Sequence, residues 1–157
     1  MYKRQTEGMV GFSLGKKDLK LFKTIIKNSF LLSSLTGLFI SIIYFFINEH
    51  VINLMSDIEN IRNLSSSYVI WLILLPFIAS FCYQFDGIFI GSSQTKELRN
   101  AMIFSVFCYL LISITLTKYL SNTGVWISLC LFMILRGLSL FYYLDKIYQR
   151  FDSKFGI

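Results

Sequence analysis

Four long apolar segments alternate with short polar ones along this chain. They cover residues 29–48, 68–91, 101–117 and 124–144. A helix that crosses a bilayer needs roughly 20 mainly apolar residues, with about 17 as a lower limit. Each segment meets that length, so the pattern predicts an all-α integral membrane bundle with four transmembrane helices.

The stretch before the first apolar segment has a different, helical periodicity. Within residues 14–28, basic side chains share one face of a helical wheel and apolar side chains fill the other. The basic residues are Lys16, Lys20, Lys23 and Lys27, and the apolar ones are Leu19, Leu21, Phe22, Ile25 and Ile26. This pattern predicts a basic amphipathic helix along the cytoplasmic membrane surface. We therefore divide the chain into a cytoplasmic loop and amphipathic helix (1–28), a transmembrane region (29–146) and a cytoplasmic tail (147–157).

Lys and Arg residues are distributed unevenly over the polar segments. Leaving aside Arg136, which lies within an apolar segment, one side of the membrane carries twelve of them and the other carries two. The positive-inside rule assigns the larger number to the cytoplasm. We therefore expect a multi-pass protein of the inner (plasma) membrane with both termini in the cytoplasm.

The composition fits a membrane protein and gives no sign of an enzyme. The chain of 157 residues is 55% hydrophobic and 15% charged, whereas about a quarter of a soluble domain is charged. The net charge of +6 therefore reflects topology, because little soluble surface remains for nucleic acid. Cys82, Cys108 and Cys130 lie in apolar segments without metal-ligand spacing. We expect no enzymatic activity, no organic cofactor and no nucleic-acid partner.

Small residues recur at four-residue spacing in the first two apolar segments. Ser33, Gly37 and Ser41 form one such stripe, and Gly87 and Gly91 form another. Small residues at this spacing allow a second helix to approach closely. Both stripes therefore predict tight helix–helix contacts.

Two full charges, Asp86 and Arg136, interrupt the apolar segments. A charge at the bilayer centre costs about 2.5–3.5 kcal/mol on insertion scales, so it faces protein or a water-filled cavity and tends to pair. Counted from the cytoplasmic helix ends, the two depths differ by about 5 Å, and Arg136 is the predicted charge partner of Asp86. The pair fits either a helix–helix clamp or a transport site. In the second case Asp86 binds a proton or Na⁺, flanked by the neutral oxygens of Gln84 and Tyr83.

Three stretches carry a resemblance to a known family. They are "TEGMVGFSLGKKD" (6–18), "DGIFIGSSQTKELRNAM" (86–102) and "LRGLSL" (135–140). Together they resemble the multidrug and toxin extrusion (MATE) transporters, in the branch of the DNA-damage-inducible F-type proteins. Members of the family are twelve-helix proteins of two six-helix lobes. The resemblance implies a C-terminal fragment that corresponds to the end of the eighth helix, its cytoplasmic loop and helices nine to twelve.

The resemblance also implies a function. Family members export cationic or amphipathic compounds in exchange for Na⁺ or H⁺. The acid that begins "DGIFIG" faces the cavity of their C-terminal lobe, and in some branches it helps to bind the coupling cation, a role that falls here to Asp86. We expect the C-terminal part of a cation-coupled multidrug antiporter, inactive as an isolated fragment. Its expected partners are the missing N-terminal lobe, amphipathic or cationic small molecules and the lipid bilayer.

Two other functions stay open for a four-span chain. One is an autonomous membrane adaptor whose basic helix recruits anionic lipid or a partner. The other is a small homo-oligomeric exporter in which two subunits form the pathway. An adaptor would keep its activity when Asp86 is changed to Asn, whereas a cation-coupled transporter would lose it.

Overall fold

The computed structural model describes residues 2–155, with side chains for residues 3–149, and this part of the chain folds into α-helices. The helices are α1 (Tyr2–Gly15), α2 (Leu19–Met55), α3 (Glu59–Ser66), α4 (Val69–Gly91) and α5 (Thr95–Phe155). Helix α4 lies at the centre, since it contacts α1, α2 and α5. The helices α2, α4 and α5 are long and apolar enough to cross a membrane. The predicted all-α membrane bundle is confirmed.

Helix α5 supplies two spans because it folds back on itself. Ser121 has φ 50° and ψ −129°, outside the helical region. This residue separates a first arm (95–120) from a second arm (122–155). The rings of Tyr109 in the first arm and Phe132 in the second meet edge-on, with their centres 5.6 Å apart. The two arms therefore form an antiparallel helical hairpin.

Gly124 allows the two arms to approach closely beside the turn. A Cβ atom on Gly124 would lie 2.5 Å from the carbonyl oxygen of Leu116, a distance that no side chain tolerates. Glycine is required here by the close approach of two backbones. The arms that it joins contain the predicted spans 101–117 and 124–144.

The predicted amphipathic helix over 14–28 is not a separate element. Helix α2 begins at Leu19, after Asp18, whose carboxylate accepts a hydrogen bond from a backbone N–H of the first turn, and it ends at Met55. Its 37 residues give a length of about 55 Å, nearly twice the hydrocarbon thickness of about 30 Å. Residues 19–28 therefore belong to the same continuous helix as the first predicted span.

The apolar face of residues 19–28 packs on protein and not on lipid. Phe22, Ile25 and Ile26 are buried. The ring of Phe22 meets the ring of Tyr148 edge-on, with a centre distance of 5.7 Å, and Nζ of Lys23 lies 5.6 Å from the centre of the same tyrosine ring. The second arm of α5 extends beyond its predicted span and covers the face that was expected to contact the membrane.

The beginning of the chain also differs from the expected cytoplasmic loop. Residues 2–15 form α1, which packs against the glycine face of α4. A Cβ on Gly91 would lie 2.5 Å from the carbonyl oxygen of Glu7, and one on Gly87 would lie 3.1 Å from that of Lys3. The close contact predicted for the two glycines is present, and it brings the first turn of α1 to the depth of Gly87.

The serine and glycine stripe of α2 packs against α4. A Cβ on Gly37 would lie 2.8 Å from Oγ of Ser80, and the hydroxyl of Ser33 donates a hydrogen bond of 2.9 Å to the carbonyl oxygen of Ser80. The hydroxyl of Ser41 is buried and has no hydrogen-bond partner among the described residues. Ser33 and Gly37 thus make the tight contact that their spacing predicts.

The core lies near the ends of α4 and α5 that the basic residues mark as cytoplasmic. Its buried members are Val10, Phe22, Ile25, Ile26, Phe85, Ile88, Phe89, Ala101, Leu140, Leu144 and Ile147. Elsewhere large apolar side chains are exposed, among them Phe46 at 74% and Phe107 at 62%. Soluble monomers do not expose apolar surface on this scale. The helices form a multi-pass membrane protein whose outer surface contacts lipid or further protein.

Gly91→Ala should destabilise the docking of α1 on α4. The added methyl group meets the backbone of Glu7, and overpacking of this kind costs about 1–3 kcal/mol. Unfolding of the purified chain in detergent, followed by circular dichroism, measures the change. Gly8→Ala is the matched control on α1, because a Cβ there has nothing within 4 Å. It should be neutral or stabilising by up to about 1 kcal/mol, since alanine favours the helix. Equal stability of the two variants would contradict the close contact.

Candidate functional site

Asp86 is buried on the side of α4 that faces the second arm of α5. Only 3% of its surface is exposed. Nη2 of Arg136 donates hydrogen bonds to both carboxylate oxygens, at 2.9 Å and 2.8 Å. Arg136 is itself 9% exposed. The predicted ion pair is present in the structure and ties α4 to α5.

The guanidinium of Arg136 approaches the carboxylate with a single nitrogen. A two-nitrogen fork would give two parallel hydrogen bonds and a more specific geometry. In this arrangement Nε of Arg136 is buried and has no hydrogen-bond partner within the described part of the chain. An unsatisfied buried donor is unfavourable. The pair is therefore close, but it does not use the full hydrogen-bonding capacity of the arginine.

A second cation, Lys3, approaches Asp86 from α1, whereas Arg136 approaches it from α5. Its Nζ lies 3.9 Å from Oδ2 of Asp86, and 39% of its side chain is exposed. The close contact of α1 with Gly87 holds Lys3 at this depth. Lys3 belongs to the basic residues that were assigned to the cytoplasmic loop, and in the structure it lies on α1 beside Asp86. The charge asymmetry that determines the topology keeps its direction without it.

The cluster of Asp86, Arg136 and Lys3, which we call the ion cluster, carries one excess positive charge. Two cations lie beside one carboxylate, and Asp86 and Arg136 are in buried surroundings. In such surroundings Coulomb interactions are stronger than in solution. A further cation is therefore repelled unless one of the resident cations withdraws.

Gln84 is turned away from Asp86. Two residues along a helix point about 160° apart, and Oε1 of Gln84 accepts a hydrogen bond of 3.0 Å from the hydroxyl of Thr6. Oγ1 of Thr6 lies 3.3 Å from Oγ of Ser29. Gln84 thus connects α4 with α1 and α2, and the expected grouping of its oxygen with Asp86 does not form.

Tyr83 lies on a cavity that reaches the ion cluster. The cavity has a volume of about 470 Å³, lies between α2 and α4, and is lined by Tyr83, Gln84, Lys3, Ser33 and Thr36 among others. Tyr83 is 49% exposed. It lies about 60° from Asp86 around the helix, on the same side as the lysine. This cavity, which we call the Lys3 cavity, is mainly apolar and borders the edge of the ion cluster where Lys3 lies.

An apolar cavity lies on the other side of Asp86, between α4 and the second arm of α5. It has a volume of about 310 Å³, and its walls include Phe77, Phe81, Phe85 and Phe141. Gly137 also borders it, and a Cβ on this glycine would have nothing within 4 Å. Gly137 therefore makes no close contact, and it widens the cavity. An aromatic cavity beside a charged cluster can hold an amphipathic molecule.

Asp86 is the acidic group that this site offers to a cation. Among the side chains of residues 3–149, no three of His, Cys, Asp or Glu come together. Tight binding of divalent ions such as Ca²⁺ uses several carboxylate and carbonyl ligands. A single carboxylate that already lies beside two cations does not provide such a set.

Comparison with known proteins gives the family. The sequence model of the MatE family matches residues 6–119. DNA damage-inducible protein F of Escherichia coli (strain K12) is 37% identical over 108 residues, which are 69% of this chain and 23% of that protein. No solved structure matches. The chain spans about a quarter of the length of this curated relative.

The fold and the buried ion cluster define a multi-pass integral membrane protein. Since the family model covers well over half of the chain, the chain belongs to the MatE family, as its resemblance to MATE transporters implied. The similarity to DNA damage-inducible protein F confirms the expected branch. The matched residues include Asp86 and end before Arg136, so the pairing of these two residues is known from the structure alone.

The ion pair can be tested with a double-mutant cycle. Arg136→Gln leaves a buried carboxylate with Lys3 as its remaining charged neighbour, and breaking a buried pair costs about 3–5 kcal/mol. Asp86→Asn should also destabilise the chain, and the double variant should lose less than the sum of both. Detergent unfolding measures all four proteins.

The exposed pair Arg62 and Asp57, with an N–O distance of 3.4 Å, is the matched control for this cycle. Its variants should change stability by less than about 1 kcal/mol. Additive effects at Asp86 and Arg136 would mean that the two side chains do not interact.

Proposed function

We propose that this chain is the C-terminal part of a cation-coupled exporter of amphipathic or cationic compounds in the plasma membrane. In this proposal Asp86 is the carboxylate that meets the coupling ion, Na⁺ or H⁺. The observation that carries the proposal is the burial of Asp86 next to Lys3, which lines one cavity, and next to Phe85, which lines another. Membership of the MatE family supports the transport class.

Coupling requires an interaction that differs between two conformations. A ligand shifts a conformational equilibrium only by its differential affinity for the two states. Asp86 joins α4 to Arg136 on α5 and lies beside Lys3 on α1. A cation bound at Asp86 would weaken the attraction to both residues and so loosen the contacts between these helices. The ion cluster therefore offers a route from ion binding to helix movement.

The apolar cavity supports amphipathic or cationic substrates. Four phenylalanine rings line it, and aromatic faces attract both apolar groups and cations. The part of the cavity that Cys82 and Phe85 line is close to Asp86. Phe85 directly precedes Asp86 in the sequence, and Cys82 lies one helical turn before it. A substrate with a cationic group would compete with the coupling ion for the same carboxylate, as antiport requires.

A second lobe is part of the proposal. The chain spans 23% of the length of its E. coli relative, and much of its apolar surface is exposed. Alternating access needs two bodies that move against each other around a common site. We therefore propose that the described helices work with an N-terminal lobe and do not transport alone.

Efflux by a reconstituted pair of lobes tests this function. The chain is expressed alone or with the part of the E. coli relative that precedes the matched region, and efflux of a fluorescent lipophilic cation is measured. We expect efflux with both parts. Asp86→Asn should lower it by roughly tenfold, the effect of losing about 1.4 kcal/mol of differential binding.

Asp57→Asn is the matched control, because Asp57 is an exposed acid in the link between α2 and α3 and lies outside the ion cluster. It should leave efflux unchanged. Efflux by the chain alone would favour a small homo-oligomeric exporter. Efflux that is insensitive to Asp86→Asn would remove the carboxylate from the mechanism.

The proposed orientation, with both termini in the cytoplasm, can be tested by cysteine labelling. In a variant without Cys82, Cys108 and Cys130, single cysteines replace the exposed residues Asn63, Asn122 or Lys96. A membrane-impermeant maleimide added to intact cells should label positions 63 and 122 but not 96, because the basic links face the cytoplasm. Labelling of position 96 alone would reverse the orientation.

A further inference from the structure

Two cations share Asp86, and the structure holds them differently. Arg136 is nearly buried and donates hydrogen bonds to both carboxylate oxygens. Nζ of Lys3 is 3.9 Å from the nearer oxygen, which is beyond hydrogen-bond distance, and its side chain is 39% exposed. Partly exposed ion pairs of lysine contribute little to stability. Lys3 is therefore the more easily displaced of the two cations.

Lys3 connects Asp86 with the Lys3 cavity. It lines that cavity together with the hydroxyls of Ser33 and Thr36, whereas Arg136 approaches the carboxylate from α5. A lysine ammonium is a compact monovalent cation on a flexible stem of four carbons. A cation that enters through the Lys3 cavity therefore meets the lysine before it reaches the carboxylate of Asp86, which does not line this cavity.

The charge of the ion cluster makes displacement necessary. With Lys3 in place the cluster has one excess positive charge, and an added monovalent cation would raise the excess to two. Withdrawal of the lysine ammonium restores the original charge. Binding of a cation at Asp86 is then an exchange of one monovalent cation for another.

The structure allows this exchange by a side-chain movement. The backbone of α1 is held by the contact between Glu7 and Gly91 and by the hydrogen bond from Thr6 to Gln84. The Lys3 side chain is partly exposed and lines the cavity, so open space lies beside it. The lysine can therefore rotate into the cavity while α1 stays docked.

We propose that Lys3 is an intramolecular competitor of the coupling cation: its ammonium occupies the cavity side of Asp86 and must leave before a monovalent cation binds there. The proposal rests on the cation-binding role of Asp86 proposed above. In this role Lys3 sets the affinity of Asp86 for the ion, but Lys3 does not itself bind the ion.

Cation binding to the purified full chain in lipid nanodiscs tests the proposal. The probes are Na⁺, replaced by choline at constant ionic strength, and tetraphenylphosphonium as an organic cation. Apparent affinities come from the dependence of the melting temperature on probe concentration, because a ligand of the folded state stabilises it. Lys3→Met should tighten the binding of at least one probe by roughly tenfold, a typical size for coupling between two ligands.

Three further variants serve as controls. Lys3→Arg keeps the positive charge and should bind with wild-type affinity. Lys20→Met removes the same charge from an exposed position on α2 and should also bind as wild type. Lys3→Gln replaces Lys3→Met if the latter does not fold, as judged by its helical circular dichroism. Asp86→Asn should abolish binding in both the wild-type and the Lys3→Met background.

The outcomes separate the two proposals. Competition by Lys3 is supported if the Lys3→Met variant binds a probe more tightly than wild type does, or if the variant binds it and wild type does not. Equal affinity of wild type and Lys3→Met, with loss of binding in Asp86→Asn, overturns the role of Lys3 and leaves that of Asp86 intact. Binding that survives Asp86→Asn, or no binding of either probe by any variant, overturns both.

Discussion

The structure depends on one constraint: the negative charge of a single buried carboxylate, that of Asp86, has to be balanced by a nearby positive charge. A bare charge at membrane depth is expensive, and Asp86 is nearly inaccessible to solvent. Arg136, which lies fifty residues further along the chain, supplies this positive charge from α5. The pair fixes the relative position of α4 and the second arm of α5, since a shift of one helical turn, about 5.4 Å, would separate the charges.

Helix α4 can serve as the centre of the bundle because its three faces have different chemistry. Gly87 and Gly91 present a smooth surface to α1, and Gln84 and Ser80 make polar contacts with α1 and α2. The face of Asp86 meets α5. Close approach at the glycines is also what brings a lysine of α1 within reach of the carboxylate, so the packing of the helices and the charge of the site are linked.

Features with a local physical cause could be predicted from the sequence. The spans follow from apolar length, and the Asp86–Arg136 pair follows from the cost of charge in lipid at matching depth. The position of Lys3 could not be predicted, because it depends on α1 docking against a helix some eighty residues away. The orientation of Gln84 could have been found, since the angular step of a helix already turns it away from Asp86. The surroundings of Gly137 had no such local signal, because a glycine fits a tight contact and a cavity wall equally well.

The ion cluster has a consequence for how the protein responds to the electrical state of the cell. In the orientation proposed here, Lys3 lies inside the membrane field, and the cavity into which it withdraws extends toward Ile40 and Pro76, away from the cytoplasmic ends of the spans. The exit of the ammonium from the cluster therefore carries positive charge away from the cytoplasm. Each elementary charge that crosses the full field gains or loses about 2.3 kcal/mol per 100 mV. An interior-negative voltage would therefore hold the ammonium at Asp86, so that an energised membrane favours the state in which Lys3 occupies the carboxylate and a de-energised one favours its release.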